Sequence, residues 1–132
     1  MSNNDIIKEW LQIAYKDYDT ALYLFKKKHK KPLEIICYHC QQSVEKSLKG
    51  YLCAKGVDVP KTHALRLLCQ SCVKFDKKFL GFLDFCAELE IYAAGTRYPN
   101  RIEIDETNAK QALDQASAVY NFVSELVKKM FS

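Results

Sequence analysis

The chain has 132 residues, 48% of them apolar, and 20 Lys and Arg against 16 Asp and Glu for a net charge of +4. That is enough for one domain with a proper core and too little for two, so residues 1–132 are read as a single domain. The mild positive balance serves solubility as readily as an anionic partner and does not by itself argue nucleic acid.

Apolar residues recur at helical spacing from the start. Ile7, Trp10, Leu11, Ala14, Tyr18, Ala21, Leu22 and Phe25 fall on one side of a first helix from about residue 4 to 28, with Asn3 or Asn4 as cap. The run Lys26-Lys27-Lys28-His29-Lys30-Lys31 then complements the negative end of that helix, and Pro32 breaks it. No aromatic residue interleaves with these charges, so the run reads as a solvated helix end before it reads as a nucleic-acid patch.

Pro32 also suits the first turn of a second helix, whose face Leu33, Ile36, Cys37, Cys40, Val44, Leu48 and Tyr51 runs to about residue 55 before Gly56 ends it. After a short connection, Thr62 is the expected cap of a third helix beginning near His63 and carrying Leu65, Leu68, Cys69, Cys72 and Val73. A break near Asp76 leads to a fourth segment with Phe79, Phe82, Leu83, Cys86 and Ala93, stopped by Gly95 and Pro99. The last helix, capped by Asp105 or Thr107, has the cleanest stripe: Ala109, Ala112, Leu113, Ala116, Val119, Tyr120, Val123, Leu126, Val127 and Met130. No segment alternates with period two, and the architecture that buries these stripes is an all-α, antiparallel up-and-down bundle of four to five helices.

The opening residues Met1 to Asp5 have no basic segment leading into an apolar one, and no stretch approaches the roughly 18 to 20 apolar residues of a membrane span. A cytoplasmic chain with no membrane association is expected. Its six cysteines should then be reduced thiols. Cys37-x-x-Cys40 and Cys69-x-x-Cys72 copy the spacing of zinc knuckles, but both pairs sit inside apolar helical repeats and not on tight turns. They read as core filling, with no metal.

One polar stripe remains. On the second helix Tyr38, Gln42, Glu45 and Lys49 share the side opposite the core, flanked by His39 and Lys46. Lys49 follows Glu45 by four residues, which suits a solvated, salt-bridged face. Equally, two glutamines, a histidine, two lysines and an aromatic can donate, accept and stack, as a nucleotide or a polar interface requires.

The segment Tyr38 to Lys49 resembles the second helix of the HEPN family: an aromatic, His, a small residue, Gln-Gln, two small residues, Glu-Lys, a small residue and Leu-Lys. A Thr-His-x-Leu start to the next helix is matched by Thr62, His63 and Leu65, and a Thr-Arg-Tyr-Pro segment by Thr96, Arg97, Tyr98 and Pro99. The resemblance implies a helical bundle, commonly a homodimer, often paired with a minimal nucleotidyltransferase in systems of toxin–antitoxin type. Many family members are metal-independent ribonucleases using an Arg followed within a few positions by a His. Here no histidine follows Arg97, since His29, His39 and His63 all precede it.

The reading is therefore a non-catalytic domain, without a cofactor, that binds a nucleotide or a nucleotidyltransferase partner. Its ligand residues would be Arg97, Tyr98, Tyr38, His39, Gln42, Lys46, Lys49 and His63. The alternatives are an RNA endonuclease with its acid or base elsewhere in the chain, and an interaction subunit with no ligand pocket.

Overall fold

The computed structural model describes residues 2–93 and 103–131, and all regular structure among them is helical. In chain order come α1 (Asn3–Phe25), α2 (Leu33–Ala54), α3 (Leu65–Val73), a 3-10 segment (Lys77–Phe82), α4 (Leu83–Glu90) and α5 (Glu106–Met130). None of the described helices is long and apolar enough to cross a membrane.

Side-chain pairings fix the directions. Asp17 meets His39, the Ala14 carbonyl meets Ser43, and Trp10 and Leu11 crowd Gly50, so α1 and α2 run antiparallel. Glu88 accepts from Gln111 and Gln115 while Phe82 packs on Phe122, which makes α4 and α5 antiparallel. Tyr92, just past α4, hydrogen bonds Cys37 near the start of α2. Phe79, just before α4, stacks on Tyr51 near the end of α2. Helices α1, α2, α4 and α5 therefore alternate in direction, forming an all-α, antiparallel up-and-down bundle with α3 and the 3-10 segment inserted between α2 and α4.

The core is built from the stripes read in the sequence. Ile36, Cys40, Val44, Leu48 and Tyr51 from α2, Leu65, Leu68, Cys69 and Cys72 from α3, and Ala109, Ala112, Ala116, Val119 and Val123 from α5 are all buried. Phe79 is wholly enclosed, its ring centroid 4.7 Å from Tyr51, 6.3 Å from Phe82 and 5.1 Å from Phe122, and so ties α2, the 3-10 segment and α5 together. Five of the six cysteines are buried and Cys53 is half-buried, all as free thiols. Burial pushes the Cys37 thiol up to about 12 against the opposing bond from Tyr92, and pushes Cys40 and Cys72 higher still. The two C-x-x-C pairs thus pack as small apolar side chains.

Several helix ends differ from the sequence expectation. Ser2, not Asn3 or Asn4, caps α1: its Oγ accepts from the Asp5 backbone N–H while the Asp5 carboxylate accepts from Ser2 N–H, a reciprocal box. The helix stops at Phe25 and not near residue 28, because the exposed lysines beyond it offer no apolar side chain for the bundle to hold. Of that basic run Lys31 folds back, its ammonium 5.1 Å from the Phe25 ring centroid and 3.7 Å from a Glu106 oxygen. Pro32 stands at the cap of α2, one place before its first turn.

At α3, Thr62 does not cap and His63 does not begin the helix. The Thr62 hydroxyl accepts from Ala64 N–H in a local turn, and α3 begins at Leu65, because His63 is drawn away to a carboxylate on α2. The break at Asp76 is real, its carboxylate accepting from Lys78 N–H to cap the 3-10 segment. Asp105 caps α5 in a reciprocal box with Asn108. Helix α4 ends at Glu90, and the stop expected from Gly95 and Pro99 lies outside the described residues.

The larger correction concerns α2. Gln41, Ser43, Glu45, Ser47 and Lys49 are buried along with its apolar face. The side read as lying opposite the core does not face solvent at Glu45 and Lys49, so a solvated helix face is excluded there. A one-stripe reading assumes a helix with an open back. In the middle of α2 that back is narrowed to the half-buried side of His39, Gln42 and Lys46, since α1, α3, α4 and α5 all pack against the helix.

Candidate functional site

Glu45 stands at the centre of this buried polar row and is 0% exposed. A carboxylate in that position is tolerable only if its charge and lone pairs are answered. The spacing of α2 supplies three of the answers. Gln41 one turn before and Lys49 one turn after lie on the same row, and Lys46 is the next residue. The Lys46 and Lys49 ammonium groups each donate to Glu45 Oε2 at 3.2 Å, and the Gln41 amide approaches Oε1 at 3.5 Å. The network extends along α2, with Lys46 also donating to Gln42 Oε1 at 3.1 Å and Gln42 Nε2 donating to Gln41 Oε1 at 2.7 Å.

The fourth answer comes from outside the helix. His63, on the connection between α2 and α3, places Nδ1 3.0 Å from Glu45 Oε1 and 3.1 Å from Oε2. Burial pushes the Glu45 carboxyl up, but the His63 hydrogen bond together with the charges and bonds of Lys46 and Lys49 outweighs it, and the group is held below the usual glutamate range. An ionised carboxylate only accepts, so Nδ1 of His63 must carry its proton there. The imidazole is left with Nε2 turned away from Glu45, on a side chain 74% exposed.

Charge is unbalanced across this cluster. Two lysines answer one carboxylate, leaving one positive charge in surplus before any proton is added to His63. Lys49 is buried, the Lys46 side chain is 20% exposed and His63 is open to solvent, so the surplus is presented at the Lys46–His63 end.

A second carboxylate–histidine pair lies nearby in sequence. His39 Nδ1 is 2.9 Å from Asp17 Oδ1 of α1, and Tyr38 stands edge-on to the His39 ring at a centroid distance of 5.7 Å. His39 precedes Lys46 by seven residues, about two turns, and so shares its side of α2.

Of the residues expected from sequence, Gln42, Lys46, Lys49 and His63 are gathered around Glu45, while Tyr38 and His39 form the neighbouring pair. Arg97 and Tyr98 lie outside the described residues. Sequence reasoning missed Glu45 as the hub and Gln41 as its neighbour, although the four-residue spacing of Gln41, Glu45 and Lys49 is itself the signal of a shared row. Asp17 carried none, as its role arises only from the α1–α2 packing. Among the described residues no group of three or more potential metal ligands forms. A groove of about 800 Å³ lies elsewhere, bordered by Phe25, Phe85, Lys110 and Asp114, and does not reach this cluster.

Comparison with known proteins agrees with this architecture. The fold is shared with two solved structures: ST0689, an archaeal HEPN homologue (TM-score 0.72, 21% identity, 92% of this chain and 97% of that one), and TT1696 from Thermus thermophilus (TM-score 0.73, 24% identity, 90% and 96%). At those identities the likeness speaks for the fold alone. No curated protein matches. The HEPN domain model matches residues 7–126, from the first turns of α1 to near the end of α5, and on that span the chain belongs to the HEPN domain family.

Proposed function

We propose that this HEPN domain is a non-catalytic binding module that takes the phosphate-bearing part of a nucleotide at the Lys46–His63 end of the Glu45 cluster. The observation that supports it is the surplus cation, since two ammonium groups on one buried carboxylate favour an anionic ligand. Gln42 and His39 would add neutral donors along the same side of α2. Arg97 and Tyr98 enter through the family resemblance, as a bidentate phosphate clamp and a stacking ring. A second reading, docking of a nucleotidyltransferase partner in a toxin–antitoxin-like pair, enters through the family resemblance, and the exposed apolar side chains Tyr23, Leu67 and Leu80 are available to such an interface. The same exposed residues support a homodimer, which light scattering at micromolar concentration would reveal as twice the 15.3 kDa chain mass.

Calorimetric titration with ATP, GTP, pyrophosphate and a short RNA tests the binding reading. Lys46→Ala and Arg97→Ala should each weaken nucleotide binding by about 1.5–3 kcal/mol while leaving the fold intact. Absence of binding to every anion, or unchanged affinity in Lys46→Ala, would overturn it. Cleavage of the RNA would restore the ribonuclease alternative.

A further inference from the structure

The Glu45–His63 pair has a geometry that anion binding does not require. We propose that His63 is a phosphoryl acceptor, modified on Nε2 by a small acyl phosphate, with Glu45 as the positioning residue. Unlike the binding reading, this inference concerns the nucleophilicity of one ring nitrogen and stands whether or not nucleotides bind.

Three observations carry it. Both Glu45 oxygens lie within hydrogen-bond distance of Nδ1, at 3.0 and 3.1 Å, which commits the ring proton to that nitrogen and leaves the Nε2 lone pair available. The ring is 74% exposed, and Nε2 has no partner among the described residues, so a donor can approach it. The Lys46 ammonium meets the same Glu45 Oε2 as the imidazole, so the carboxylate that orients the ring is itself held in place by a charged donor.

The step balances without moving a proton. The Nε2 lone pair attacks phosphorus, an N–P bond forms, and the P–O bond to the acyl group breaks, with the electron pair leaving on the carboxylate product. The ring becomes an imidazolium that keeps Nδ1–H against Glu45. As the N–P bond develops, the positive charge on the ring grows next to a buried anion that is already in place, the arrangement that lowers such a barrier most.

The chain contains its own references. His29 is exposed and makes no hydrogen bond or ion pair among the described residues. His39 has a carboxylate at Nδ1 but its side chain is only 28% exposed. Incubating the folded, full-length protein with acetyl phosphate and following each histidine by peptide mass spectrometry and phosphorus NMR separates carboxylate pairing from exposure. His63 should be phosphorylated about tenfold or more faster than His29, on Nε2 alone, whereas His29 should react on both ring nitrogens. Glu45→Gln should lower the His63 rate and admit Nδ1 modification; if that variant fails to fold, the ratio within the wild-type chain still decides. A His63 rate no greater than that of His29, equal modification of both His63 nitrogens, or no phosphohistidine at all would overturn the proposal.

Discussion

A Cβ placed on Gly50 would stand 3.1 Å from the Trp10 Cβ, with Leu11 Cδ2 at 3.2 Å. Helices α1 and α2 therefore approach each other closely enough at this point that the absent side chain is part of the contact. Gly50→Val should cost about 2 kcal/mol or more, since the obstructing Trp10 atom is next to the backbone and cannot swing aside. Urea denaturation against wild type measures this, and an unchanged midpoint would show that α1 can shift outward freely.

The Glu45 hub should govern acid stability. Its folded-state pKa lies below the ordinary value, so the native state binds fewer protons than the unfolded chain in that range. Its contribution is complete above the unfolded value of about 4.3 and is lost as the pH falls through the lower folded value. Wild type should therefore lose stability steeply below about pH 4, and Glu45→Gln should show a flatter profile there. At neutral pH, Glu45→Ala should cost about 3–5 kcal/mol by leaving Lys49 buried without its anion. Thermal melts from about pH 2.5 to 7 on the three proteins give both quantities.

Asp105 accepts from Asn108 N–H at 2.8 Å while the Asn108 side chain accepts from Asp105 N–H in return. Asp105→Ala should lower stability by about 1 kcal/mol through the first turn of α5, with no change in helical content at room temperature. Circular dichroism melts check it.

Phe79→Ala should cost about 3–5 kcal/mol, because one ring closes contacts to Tyr51, Phe82 and Phe122 at once. Phe79→Leu should retain a large part of that stability. The pair is best compared by chemical denaturation.

What could be read from the amino-acid pattern follows from what the pattern encodes. Most of the α5 stripe was legible because α5 has a solvent side; Ala109, Ala116 and Val123 are buried while Lys110 and Glu125 are not, although Met130, read into the stripe, is exposed and Phe122, left out of it, packs on Phe79. The same logic failed on α2. Its polar residues were assigned to an open face, but Glu45 and Lys49 are buried, and the Glu45 charge is answered in part by His63 arriving from 18 positions away. A one-dimensional period cannot report that neighbours also cover part of a helix's polar side. The start of α3 was misplaced for a related reason, since local cap chemistry at Thr62 was overridden by the tertiary pull of Glu45 on His63. Among the site residues, types and spacing indicated polar chemistry on α2, and Asp17 became visible only once α1 was docked.

The uneven burial of the thiols makes the chain a built-in reporter of its own opening. Cys53 alone is partly accessible, while Cys37 and Cys40 sit near the start of α2, Cys69 and Cys72 on α3, and Cys86 on α4. A thiol-specific reagent applied under native conditions should therefore attach first at one position, giving a single-site handle without mutagenesis, although burial raises even this thiol's pKa and slows it. Each later attachment would mark the moment a particular helix leaves its neighbours. The order in which the remaining five become reactive would give a map of which parts of the bundle separate together and which persist to the end.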